Sequence, residues 1–268
     1  MSLNDIVSAF KNHQLQYGLN GDSMQQELYK WKLVTKQIGH PDANADDFAK
    51  EINALRFQNL CYSTQLTAIR HFAEYEPEDY REAFKNLFDE NVDLQQRIDT
   101  FISSCKTLWD DKIKKNFGQN TSAMCDERLI SCFLTLQNPQ KYTFYKSDVY
   151  ANLCDLLDVE PKKAGHKLVH FYELLKQHLV PIVEQDTELM ESVNNELQRE
   201  GCIQSTMLTA QTALWTYVSQ LRKNGKQQVW LFLGGKDSND YHFDEMYNDG
   251  SMALCGWEKV GDLGDCDD

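Results

Sequence analysis

The sequence predicts a mainly α protein, one or more multi-helix bundles followed by a short β-containing C-terminal segment. Three observations carry that reading. There are only 5 prolines in 268 residues. Apolar residues recur three and four positions apart, the helical period, at least as far as Leu221. At residues 222–226, RKNGK, the pattern changes. The run VWLFL at 229–233, bounded by Gly234 and Gly235, and a second run at 251–257 then read as strands.

The elements follow in order. A first helix is expected over residues 2–17, capped by Ser2, with Leu3, Ile6, Val7 and Phe10 as one apolar stripe and Gly18 and Gly21 breaking it. A second starts near Asp22 or Ser23, carries Met24, Leu28, Trp31 and Val34 or Thr35 on a face, and stops at Gly39, His40 and Pro41. Shorter helices are expected around 46–56 and 62–75. Pro77 suits a helix start, and Glu78 and Asp79 complement the dipole there. Residues 77–88 therefore read as a helix whose core face is Tyr80, Phe84, Leu87 and Phe88.

A longer helix over 93–115 places Leu94, Ile98, Phe101, Ile102, Cys105, Leu108 and Trp109 on one side, with Lys112, Lys114 and Lys115 at its cation-favouring end. Residues 117–121 read as a linker. Beyond it, 126–136 is a strongly apolar helix ended by Asn138 and Pro139, and Ser147 with Asp148 opens another reaching about Leu157. Between them the aromatic cluster Tyr142, Thr143, Phe144, Tyr145 is either a short strand or a loop plugging the core. Residues 167–179, 181–197 and 205–221 complete the helices, the last with Met207, Leu208, Leu214, Trp215, Val218 and Leu221 inward. The expected organisation is an N-terminal helical bundle over 1–117, a second helical subdomain over 118–224 and a partial, truncated β segment over 225–268.

Composition narrows the function classes. Hydrophobic residues at 41% and charged ones at 25% are those of a folded chain. Against 27 basic residues stand 41 acidic ones, and the net charge of -14 opposes a general DNA-coating role unless a local patch overrules it. Residues 228–268 alone carry ten acids and two lysines, a net of -8. The first twenty residues hold no continuous apolar segment, so a cytoplasmic location without a secretion signal is expected. No run approaches the roughly eighteen apolar residues of a membrane span. Eight cysteines without C-x-x-C spacing are expected to be reduced thiols acting as small apolar residues.

Motifs for catalysis are sparse. The phosphate loop of nucleotide hydrolases needs glycines, then lysine and a hydroxyl, but Gly235-Lys236 is followed by Asp237, and Trp230 stands where the earlier glycine belongs. Neither a dinucleotide fingerprint nor a nucleophile elbow occurs. His166, His170 and Glu173 fall at helical spacing that suits a metal. Lys167, however, replaces the glutamate of the zinc-protease pattern, and Leu168, Val169 and Phe171 are ordinary core, so a hydrogen-bonded or solvated face is the plainer reading. Cys125 and Cys132 share a face, and inert core thiols are expected there. Trp230 and Trp257 sit on the two expected strands, where rings on a rigid sheet either clamp a flat base by stacking or fill a core.

Two stretches carry a family resemblance. The helical one comprises 138–150 (NPQKYTFYKSDVY), 167–175 (KLVHFYELL) and 208–215 (LTAQTALW), and the other comprises 229–235 (VWLFLGG) and 251–263 (SMALCGWEKVGDL). Together they resemble the N-terminal regions of McrB-like AAA+ GTPase or ATPase subunits of modification-dependent restriction systems. The second stretch is similar to the opening of an EVE-like, PUA-related barrel that reads modified bases. The resemblance implies a parent with a helical N-terminal region, a modified-DNA reader containing Trp230 and Trp257, and a motor that binds GTP or ATP with Mg and assembles with a McrC-like nuclease subunit. For this chain it implies a non-catalytic interaction or specificity module with no cofactor. The alternative class is a stand-alone cytosolic helical scaffold joining protein partners without nucleic acid. A third reading, an enzyme using His166, His170 and Glu173, is the most easily tested.

Overall fold

The computed structural model describes residues 2–19, 27–117 and 122–225, and among these the protein is mainly α-helical with no strand. Beyond Gly225 the expected β segment, with both strands and with Trp230 and Trp257, lies outside the described residues. So do the expected helix start at Asp22 or Ser23, Met24, Gly21 and most of the expected linker. The chain divides into two units after Arg222.

Helix α1, Leu3–Tyr17, begins where the sequence places it: Ser2 Oγ accepts from Asp5 N while the Asp5 carboxylate accepts from Ser2 N, a reciprocal capping box. Helix α2, Leu28–Gln37, turns Leu28, Trp31 and Val34 inward. Helix α3, Phe48–Ala54, is capped by the Asp47 side chain, and α4, Ser63–Tyr75, follows a short 3-10 turn. Helix α5, Pro77–Phe88, has proline in its first turn, as expected. Helix α6, Leu94–Leu108, is capped by Asp93 and widens into a π turn at Trp109–Ile113 and then a 3-10 turn at Lys114–Asn116, so helical backbone covers the expected length while changing its winding.

Helix α7, Glu127–Gln137, is capped by Asp126 and buries nearly all its length. Helix α8, Ser147–Leu157, has Lys146 rather than Ser147 at its cap, with no side-chain capping bond. It ends on Asp158 in the left-handed region (φ 53°), a strained place for a residue with a Cβ. Helix α9, Lys167–Leu174, passes through a π turn at Leu175–Leu179 into α10, Val180–Gln185, and α11, Thr187–Arg199, and α12, Thr206–Gly225, complete the set. The expected break at Pro181 is displaced to Asp186. The π turn loosens the helical register ahead of the proline, whose ring would clash with the carbonyl four residues back, so the chain continues. Asp186 then starts α11 by accepting from Leu189 N at 3.1 Å.

One buried cluster runs through residues on both sides of 118–121. Phe84 on α5 is its aromatic hub, with ring centroids 4.8 Å from Phe133 on α7, 4.9 Å from Tyr80, 5.1 Å from Phe101 and 5.5 Å from Phe48. The cluster 142–145 settles as loop: Tyr142, Thr143, Phe144 and Tyr145 are all buried and irregular. Several of their polar groups are satisfied from outside the stretch, while the buried Thr143 hydroxyl has no hydrogen-bond partner among the described residues. Ser131 Oγ accepts from Tyr145 N at 3.0 Å, Tyr172 donates to the Thr143 carbonyl at 2.9 Å, and Arg97 donates to the Tyr142 hydroxyl at 2.8 Å.

The first helices are fastened by distant residues. The Glu196 carboxylate on α11 accepts from Gln14 Nε2 at 2.8 Å and from Leu19 N at 2.9 and 3.0 Å, sealing the end of α1. Lys11 pairs with Asp186 at 2.9 Å and Glu188 at 2.7 Å. Lys30, almost wholly buried, pairs with Glu27 and donates to Gln211 Oε1 on α12 at 3.2 Å.

Candidate functional site

Helices α7, α8 and α9 begin around one cleft, of about 500 Å³, whose lining includes Tyr62 from the start of α4 and Trp215 from α12. The buried stretch 142–145 delivers Lys146 to this place. With its backbone extended (φ -135°, ψ 133°), Lys146 precedes α8 and sets its Nζ 3.7 Å from the centre of the Trp215 ring. Burial, and then the positive charge of Lys30 nearby, push its ammonium down to about 8. Burial pushes the neighbouring Tyr145 phenol upward. Arg128, in the first turn of α7, lies over the Tyr62 ring at 4.3 Å and donates to the carbonyls of Leu60 at 2.7 Å and Asn59 at 3.0 Å. Lys167 opens α9 on the same lining.

Acidic groups share the cleft, but the protein itself engages them. Asp126 Oδ1 accepts from Leu129 N at 3.0 Å and from Gln65 Nε2 at 2.7 Å, and Glu127 Oε1 accepts from Leu168 N at 2.9 Å. Asp148 is engaged as well. Arg128, Lys146 and Lys167, by contrast, enter no ion pair among the described residues. The arrangement is an aromatic-walled recess in which three acids and three cations meet.

The residues singled out from the sequence fare differently. Trp230 and Trp257 lie outside the described residues. His166 is the residue ahead of α9, not part of the helix, and His170 Nδ1 lies 2.8 Å from the Tyr150 hydroxyl, which also accepts from Lys162 N at 2.7 Å. Burial lowers the His170 pKa, with Lys162 adding to the effect. Among the described residues, no group of three or more His, Cys, Asp or Glu side chains is placed to hold a metal ion. Cys125 and Cys132 do not share a helix face. Cys125 precedes the α7 cap and is hydrogen-bonded to Cys105, whereas Cys132 is wholly buried, its thiol pushed well up by that burial. The described cysteines are free thiols.

Sequence reasoning missed the cleft. Trp215 was expected inward, yet it is half-buried with Lys146 against its ring. The available signal was a lysine closing a buried aromatic run immediately before a helix. The fold and site define a mainly helical protein with a charged, aromatic-walled recess where three helices start. No protein-family model matches the chain, nor does any curated protein or solved structure. No helix among the described residues is long and apolar enough to cross a membrane.

Proposed function

We propose that this chain is a non-catalytic interaction and specificity module from the N-terminal region of a McrB-like modification-dependent restriction NTPase. One observation supports the reading above the others. The three helical stretches that carry the resemblance, 138–150, 167–175 and 208–215, meet at one cleft, to which they contribute Tyr145, Lys146, Ser147, Asp148, Lys167 and Trp215. A scaffold that used these stretches only as core would have no reason to turn their polar residues toward one recess. In this reading the module works in the cytoplasm and has no catalysis of its own. GTP or ATP with Mg belongs to the parent's motor, a McrC-like nuclease subunit is the parent's partner, and Trp230 and Trp257 belong to its reader of modified DNA.

The test is fluorescence anisotropy with methylated and unmethylated duplexes at about 0.15 M salt, where charge effects are screened beyond about 8 Å. Residues 1–268 should bind neither duplex, because ten acids against two lysines at 228–268 oppose the phosphate backbone. A longer chain that completes the barrel should bind the methylated duplex, and Trp230→Ala should abolish that binding. A completed barrel that ignores both duplexes would move the stand-alone scaffold ahead.

A further inference from the structure

We propose that the cleft lined by Arg128, Lys146, Lys167, Tyr62 and Trp215 binds a phosphate ester of nucleotide size. The proposal is independent of the McrB-like reading and concerns only residues 62–215.

Charge accounting favours an anion. The cleft is formally balanced, three acids against three cations. Two of the acids are already engaged by backbone amides, Asp126 by Leu129 and Glu127 by Leu168, whereas none of the three cations forms an ion pair among the described residues, Glu27 and Asp148 acting on Lys146 only through space. The described hydrogen bonds of Arg128 use its Nε and one terminal nitrogen. Neither Lys146 nor Lys167 donates to an oxygen within the described residues, and the contact of Lys146 is the Trp215 ring. Two ammonium groups and the remaining guanidinium nitrogen suit a dianion with three or more acceptor oxygens better than a monocarboxylate with two.

A desolvated lysine that forms no close ion pair is costly to the fold, and the through-space pull of Glu27 and Asp148 offsets only part of that cost. A bound dianion offsets the rest. The positive side chain is held between an aromatic face and the cleft, ready to contact a phosphate without further burial.

Size and lining argue that the ligand is more than a bare ion. About 500 Å³ lies within the range of organic-ligand pockets, roughly 300–1,000 Å³, and far exceeds the ~30 Å³ of one water. Tyr62, Tyr145 and Trp215 offer apolar wall for the organic part. The same phosphate chemistry has two sources, a free nucleotide or the phosphate of a single nucleic-acid strand.

Isothermal titration of the 268-residue chain in a phosphate-free buffer separates them. The probes are inorganic phosphate, adenosine 5′-monophosphate, adenosine and a short single-stranded oligonucleotide. The monophosphate should bind at least about tenfold more tightly than adenosine, the scale of one lost charge-assisted contact. Lys146→Met and Lys167→Met should each weaken it by at least about tenfold while unfolding cooperatively. An oligonucleotide that binds far more tightly than the monophosphate, and is weakened by the same variants, assigns the phosphate to a strand. Parity assigns it to a free nucleotide. Equal binding of adenosine and its monophosphate, unchanged binding in both variants, or no binding of any phosphate probe at millimolar concentration would each overturn the proposal. If Lys146→Met fails to fold, Lys167→Met on the cleft rim decides alone.

Discussion

Replacing Gly18 with alanine tests how the N-terminal helix is held. Gly18 ends α1 with φ 67° and ψ -171°, a region open almost only to glycine, and a side chain there costs about 1–3 kcal/mol in backbone strain. The new methyl also meets an obstacle. Its carbon would lie 2.9 Å from Glu196 Oε2 and 3.0 Å from Oε1, closer than carbon and oxygen tolerate, so the carboxylate must move. That carboxylate holds Gln14 Nε2 at 2.8 Å and Leu19 N at 2.9 Å, and losing one charge-assisted bond of this kind costs about 1.5–3 kcal/mol. Together the two effects come to about 2.5–6 kcal/mol, a fall of about 5–24 °C in Tm for a domain of this size. Thermal and urea unfolding followed by circular dichroism measure it. Gly39, with φ 82° and nothing within 4 Å of an added carbon, is the control that isolates strain. If Gly18→Ala is no more destabilising than Gly39→Ala, the clash with Glu196 is not real. In a Glu196→Ala background the Gly18→Ala penalty should shrink to the strain alone, a non-additivity expected of residues in contact.

Three further outcomes are expected. Lys30→Met should destabilise by about 3–5 kcal/mol, because it leaves the Glu27 carboxylate buried without its partner, and Lys30→Met/Glu27→Gln should recover most of that loss in the same urea titration. Lys146, held at about 8 against an ordinary 10.5, binds fewer protons folded than unfolded between those values, so its penalty is fully present below about pH 8 and gone above about 10.5. The stability of the parent relative to Lys146→Met should therefore rise from pH 8 to 10.5, and a flat difference would contradict the placement of that ammonium. Asp158→Gly should raise stability by about 0.5–1 kcal/mol by relieving the left-handed strain at the end of α8, read as a small upward shift in Tm.

Local signals were the readable ones. Ser2 and Asp5 form a capping box within four residues, and Pro77 with Glu78 and Asp79 marks a helix start, so α1 and α5 fall where the sequence puts them. Pro181 misled because a π turn absorbs it, and no local pattern announces a π turn. The cleft was illegible for a different reason. Tyr62, Arg128, Lys146, Lys167 and Trp215 come from five separate segments, and each looks ordinary within its own periodicity. Of the three residues read as one face, His170 meets the Tyr150 hydroxyl, in keeping with the hydrogen-bonded reading, and His166 stands one residue ahead of the helix. Cys125 was misplaced in the same way ahead of α7.

The fastening of the first helices by Asp186, Glu196, Ile203 and Gln211 sets a timetable for synthesis. The bonds that Lys11, Gln14 and Lys30 donate to Asp186, Glu196 and Gln211, and the one that Thr35 accepts from Ile203 N, span 168 to 182 positions of chain. At about 5–20 residues per second, a ribosome needs roughly 10–35 s to cover that distance. During that interval α1 has no docking site for Ile6, Val7 and Phe10, all buried in the finished fold. The apolar stripe of α1 therefore stays without its final partners on α10 and α11 for most of translation, and the segment can settle as a packed helix only near the end of synthesis.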